Sequence, residues 1–129
     1  MTIQLDHVMV HSRNQSASAK MLAELLAVSW GETGPGPFSA VYVNDGLTLD
    51  FIDSEEAFPI EHYCFRVSED EFDAILARLK AAKIAYRSNV RGPVDMKINT
   101  EYGGRMLYWN VPDGHQWEML TVSYARPPR

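Results

Sequence analysis

The sequence predicts an α+β protein made of two tandem copies of a β-α-β-β-β unit. Three observations carry that expectation. Period-two alternation marks strands, and helical spacing marks two amphipathic segments. A first-strand histidine recurs, His7 over His62, at an offset of 55. An acidic residue four positions after a Gly turn also recurs, Asp50 over Glu118, at an offset of 68. The irregular polar segment RGPVDMKINTEYGG (91–104) absorbs the 13-residue difference. Module one then spans about 3–54, module two about 58–124, and residues 125–129 form a tail expected to be disordered.

The elements follow in order. Leu5 to His11 alternates around Val8 and Val10 and reads as a strand. Asn14 and Ser16 are candidate N-caps for a helix over about 15–27, with Met21, Leu22, Leu25 and Leu26 on its apolar face. The Gly- and Pro-rich GETGPGPF (31–38) reads as a loop. Strands Phe38 to Val43 and Leu47 to Asp53 are joined by Asn44-Asp45-Gly46, a hairpin signal. Ile60 to Val67 restarts the pattern, and Ser68 with Glu71 forms a capping box before a helix carrying Phe72, Ile75, Leu76 and Leu79. Ala85 to Val90, Met106 to Asn110 and His115 to Tyr124 read as strands, with Pro112-Asp113-Gly114 as the last turn.

Composition narrows the function classes. The 129 residues hold 12 Lys+Arg against 17 Asp+Glu, a formal charge of -5, with 46% apolar residues. A chain of this length forms one domain that buries roughly two thirds of its unfolded surface. The acidic balance argues against nucleic acid and anionic membranes as partners. No apolar run reaches the ~18 residues of a bilayer span, and MTIQLDHVMV lacks the basic start of a signal peptide. One cysteine excludes an internal disulfide or a multi-cysteine metal site and fits a reducing, cytoplasmic compartment.

Strand parity locates the polar residues. His7, Met9 and His11 share one face of their strand; Thr48, Asp50 and Ile52 share one face of theirs. His62 and Cys64 oppose Tyr63 and Phe65, and Gln116 and Glu118 oppose Trp117 and Met119. Four potential ligands, His7, Asp50, His62 and Glu118, thus take equivalent places on the inner faces of curved sheets. Imidazoles with carboxylates suit Fe, Mn, Zn, Ni or Co as a divalent ion. By parity His115 points away from Glu118, and it reads as a solvated turn residue. Cys64 reads as a small buried filler, and Trp30, Trp109 and Trp117 as core or contact residues.

LDHVMV, GLTLDFID, EHYCFRV and VPDGHQWEML closely resemble the vicinal oxygen chelate superfamily, which includes glyoxalase I, the extradiol dioxygenases, fosfomycin-resistance enzymes and bleomycin-resistance proteins. The resemblance covers residues 3–122. It implies curled mixed sheets around a central metal-binding trough, with His7, His62 and Glu118 as ligands. Asp50 stands where glyoxalase I has a fourth ligand; being one methylene shorter than Glu, it is left open between ligand, base and substrate contact. Tyr108 falls where the fosfomycin enzymes place a substrate-contacting tyrosine. Met9 replaces a threonine of those enzymes, and NTEYGGRMLYW replaces their Ser-rich loop, which argues against a phosphonate substrate.

The resemblance implies a metal-dependent enzyme acting on a small oxygenated molecule, by lyase, isomerase or ring-cleaving dioxygenase chemistry. In that reading Asp50 or Tyr108 moves the proton, and Arg105, Tyr108, Met9 and Cys64 contact substrate. Arg105 is the expected anion anchor. The alternative is a non-catalytic small-molecule binder of the bleomycin-resistance type. Small relatives also imply a homodimer in which His7 of one chain joins His62 and Glu118 of its partner.

Overall fold

The computed structural model describes residues 3–32 and 36–127 and shows two compact units, Met1–Pro59 and Ile60–Arg129. The first unit runs β1 (His7–Ser12), α1 (Gln15–Leu26), β2 (Trp30–Glu32), β3 (Ser39–Asn44) and β4 (Leu47–Asp53). The second repeats it with β5 (His62–Arg66), α2 (Glu69–Ala81), β6 (Tyr86–Arg87), β7 (Met106–Trp109) and β8 (Gln116–Leu120). The two sheets have matching topologies, β1-β4-β3-β2 and β5-β8-β7-β6. In each, the first strand lies parallel to the last, and the remaining pairs are antiparallel.

The register shows the repeat residue by residue. Met9 pairs with Asp50 in the first sheet, and Cys64 pairs with Glu118 in the second. Those pairs are related by the same offsets of 55 and 68 that the sequence displays. Across the next ladder, Ala40 pairs with Asp50 while Tyr108 pairs with Glu118.

Local chemistry explains where the helices begin. Asn14 caps α1 by accepting a hydrogen bond from the Ala17 amide at 3.2 Å. Ser68 caps α2 by accepting from the Glu71 amide at 3.1 Å, while the Glu71 carboxylate accepts from the Ser68 amide at 2.8 Å. Both bonds occupy amide donors that the first helical turn leaves without intrahelical partners. Glu69, Asp70 and Glu71 start α2 and Arg78 and Lys80 finish it, each charge matched to the helix dipole.

Packing corrects part of the helical pattern. Helix α1 buries Ser18, Ala19, Leu22, Ala23 and Leu25, whereas Met21 is 38% exposed. Small side chains form much of the buried stripe, so apolarity alone points at Met21 and misses Ser18. Helix α2 buries Phe72, Ile75 and Leu79 and leaves Leu76 at its margin. Within GETGPGPF, Gly31 and Glu32 belong to β2, because backbone pairing to Ala40 and Ser39 needs no β-forming side chain. Thr33, Gly34 and Pro35 of that expected loop lie outside the described residues, as do 128–129 of the tail.

Strand ends also move inward. Leu5 and Ile60 precede their strands and are 68% and 64% exposed. Strand β8 stops at Leu120, so residues 121–124 do not continue it. The turn before β8 places Asp113 at φ 66° and Gly114 at φ 78°, two successive left-handed residues as in a type I′ turn. Among the described residues, no helix is long and apolar enough to cross a membrane.

Candidate functional site

The second sheet gathers its polar side chains around Glu118. Strand β8 buries it completely, along with its neighbours Trp117 and Met119. A buried carboxylate must be compensated, and three side chains do so here. His62 Nε2 lies 2.9 Å from Glu118 Oε1. The Tyr124 hydroxyl lies 2.9 Å from Oε1 and 2.8 Å from Oε2, donating its one proton to the carboxylate. Cys64, the cross-strand neighbour, also hydrogen-bonds to Glu118 through its thiol.

Tyr108 belongs to the same face. It sits opposite Glu118 on β7, is 5% exposed, and has its hydroxyl 3.5 Å from that of Tyr124. Its ring centroid lies 6.1 Å from the His62 ring. Burial, ahead of the other contributions, pushes the Tyr108 phenol above its ordinary pKa. Burial also leads in raising Tyr124, followed by its bonds to Tyr108 and Glu118. Both hydroxyls therefore keep their protons at neutral pH. The Cys64 thiol is pushed up to about 12, by burial first and by the Glu118 charge second.

Cys64 corrects an expectation. Its residue surface is exposed, so it is not a buried filler. The thiol hydrogen-bonds to Glu118 even though the residue as a whole is exposed. A thiol so hard to ionise is a poor nucleophile at neutral pH.

His115 corrects another. It does point away from Glu118, but it is fully buried rather than solvated. Its Nδ1 accepts the Glu61 amide at 3.0 Å, and its ring packs edge-on against Tyr63 and Trp117. The imidazole thereby supplies the acceptor that the Glu61 amide needs. Trp117 also stacks on Tyr63 at 4.9 Å, which makes this opposite face an aromatic core.

Arg105 is engaged elsewhere. Its Nε and one terminal nitrogen bond Glu69 and Asp73 at 3.1 and 2.8 Å, and the other donates to the Glu69 carbonyl at 3.2 Å. Its guanidinium lies 4.3 Å over the Phe72 ring. An arginine so fully paired with α2 ties the β7 approach to that helix; a substrate anion would have to displace two carboxylates. In this structure the guanidinium of the expected anion anchor is paired with the carboxylates of α2.

The first unit carries His7, Met9 and Asp50 on one face of its sheet. The His7 side chain is 65% exposed, and its Nδ1 lies 2.8 Å from Asp6 Oδ2. With Nδ1–H donating to the Asp6 carboxylate, the Nε2 lone pair of the neutral ring is available to a ligand. The Asp6 hydrogen bond, then its charge, raise the His7 pKa; Asp50 adds a smaller push in the same direction. Asp50 itself is half-buried.

His62 and Glu118 are thus the two expected metal donors that one unit brings together, and His7 lies on the other. Among the described residues, no group of three His, Cys, Asp or Glu side chains could hold a metal ion. The donor chemistry of the pair nonetheless suits a borderline divalent cation: an imidazole nitrogen lies 2.9 Å from an oxygen of a buried carboxylate.

Known structures share this architecture. Oxidase ChaP-H2 superposes with a TM-score of 0.90 at 38% identity, over 97% of this chain and 98% of its own. The chain belongs to the vicinal oxygen chelate superfamily. Oxidase ChaP-H1 is similar at a TM-score of 0.89 and 34% identity, over 97% of this chain and all 100% of its own. The superfamily fold extends to the fosfomycin resistance protein FosX from Mesorhizobium loti, at a TM-score of 0.70, 15% identity and 96% coverage of both chains. No family model matches the chain, and no curated protein does.

Sequence reasoning missed Tyr124 and Asp6. Parity does place Tyr124 on the Glu118 face of an extended strand. Six residues of continuous strand, however, would carry it roughly 20 Å away. Only the bend after Leu120 returns its hydroxyl to the carboxylate.

Proposed function

We propose that this chain is a divalent-metal-dependent enzyme that oxidises a small oxygenated substrate, with dioxygen as electron acceptor. The observation that carries the reading is the fully buried Glu118 carboxylate 2.9 Å from His62, on the face that holds Tyr108 and Cys64. Similarity to two proteins named oxidases, at 38% and 34% identity, favours oxidation over lyase or isomerase chemistry.

His62 and Glu118 would hold the ion together with His7. Two imidazoles and one carboxylate accept Fe, Mn, Zn, Ni or Co, and an oxidation selects a redox-active member of that set. When bound, the ion supplies Lewis-acid polarisation of adjacent substrate oxygens and a route for electrons. Tyr108 keeps its proton at neutral pH and is the donor to a substrate oxygen as negative charge develops there. Asp50, on the His7 face, is the complementary acceptor. Met9 and Cys64 flank these residues and contact substrate without reacting.

A homodimer is part of this reading, with His7 of one chain serving beside His62 and Glu118 of its partner. Exposed apolar side chains near each histidine support it: Leu5 at 68%, Met9 at 49% and Ile60 at 64%. Covering such residues is what association accomplishes.

Oxygen uptake by Fe(II)-reconstituted protein, screened against catechols and hydroxyquinones, tests the activity. Uptake is expected with wild type and lost with both His62→Ala and Glu118→Gln, which also lose metal. Equal metal retention by His62→Ala and wild type would remove the assignment.

A further inference from the structure

Tyr124 lies outside the last strand, in the segment that follows β8, yet its hydroxyl reaches the one fully buried carboxylate described in the second unit. The contact engages both oxygens, at 2.9 and 2.8 Å. The ring is braced by Tyr102, whose centroid is 5.5 Å away, and the hydroxyl meets Tyr108 at 3.5 Å. A carboxylate on a two-bond stem rotates about its last torsion unless something holds it. His62 contacts one oxygen only. Tyr124 meets both oxygens, and with the Cys64 thiol it holds the plane of the group.

We propose that Tyr124 is a positioning residue for Glu118, orienting the carboxylate so that it meets a divalent cation beside His62. The proposal rests on the metal-dependent reading above. Hydrogen-bond partners of metal-binding carboxylates fix ligand orientation, and their loss typically lowers metal affinity about 10- to 100-fold. Tyr124 adds a second feature: it arrives from the chain's final segment rather than from the sheet. Order in residues 121–127 is therefore linked to ligand geometry at β8.

Mn(II) binding to full-length protein, followed by the ion's electron paramagnetic resonance signal, tests this without recourse to turnover. Wild type, Tyr124→Phe and His62→Ala are titrated well below their melting temperatures. Tyr124→Phe keeps the ring against Tyr102 and loses only the hydroxyl. It is expected to bind Mn(II) about 10- to 100-fold more weakly than wild type, with a broadened bound-ion spectrum, while His62→Ala binds more weakly still. A purely structural role would lower the melting temperature and leave the affinity of the folded protein intact. Wild-type affinity in Tyr124→Phe, with His62→Ala impaired, overturns the positioning role alone. Tighter binding in Tyr124→Phe also overturns it, since the hydroxyl would then compete with the cation. Indistinguishable binding by wild type and His62→Ala overturns the metal reading and this proposal together.

Discussion

Asp50 and Glu118 occupy the same place in two copies of one unit, yet their surroundings differ. Glu118 faces Cys64 and Tyr108 across its ladders, where Asp50 faces Met9 and Ala40. The second copy thus carries hydroxyl and thiol groups where the first has apolar side chains. Tyr108→Phe is expected to lower kcat about 100-fold at unchanged metal content, as read by steady-state oxygen uptake and metal analysis. At His7, Asp6 favours the protonated imidazole and so raises its pKa above 6.5. A metal needs the neutral ring, so its binding weakens as pH falls through that raised value. Asp6→Asn removes the leading cause of the shift and is expected to move the acid limb of Mn(II) binding to lower pH; a limb that stays put would separate His7 from the metal.

Helix α2 shows how a local pattern becomes a measurable stability. Ser68→Ala removes the acceptor for the Glu71 amide, and thermal or urea denaturation is expected to show a loss of about 1 kcal/mol. The partner bond has a pH signature. Ser68 holds the Glu71 carboxyl below its ordinary 4.5. A depressed carboxylate stabilises the folded state above the unfolded value and loses that contribution as pH falls through the folded one. Glu71→Gln should flatten the acid slope of stability from pH 4.5 downwards. At the β8 turn, Gly114→Ala must adopt φ 78° with a side chain; no neighbour blocks the added methyl, so the expected cost of about 1–2 kcal/mol is backbone strain alone. These features are written in a few adjacent residues, which is why the capping box and the Pro-Asp-Gly turn were legible. Strand β2 was not, because its pairing depends on β3 and its own residues are Trp, Gly and Glu.

Association decides whether the two halves serve one site. Light scattering is expected to give twice the chain mass. Mixing His7→Ala and Glu118→Gln proteins tests the shared arrangement further. Each alone is expected to be inactive, and exchange of subunits is expected to rebuild one intact His7/His62/Glu118 set and restore part of the activity. Mixtures that stay inactive after proven exchange would show that each chain must supply all three donors itself.

The residue pattern alone carried the repeat and the strand faces. Both follow from period-two alternation and fixed offsets, which backbone hydrogen bonding turns into register. The grouping of His62 with Glu118 was implied by the family resemblance, and the fold brings the two side chains to 2.9 Å. Tertiary structure alone decided the neighbours that parity cannot count. His115 became a buried acceptor for the Glu61 amide, Arg105 was drawn to α2, and Tyr124 bent back onto Glu118. Each of those contacts satisfies a charge or a buried polar atom across a break in regular structure. There the chain direction is set by packing and no longer by the local residue pattern.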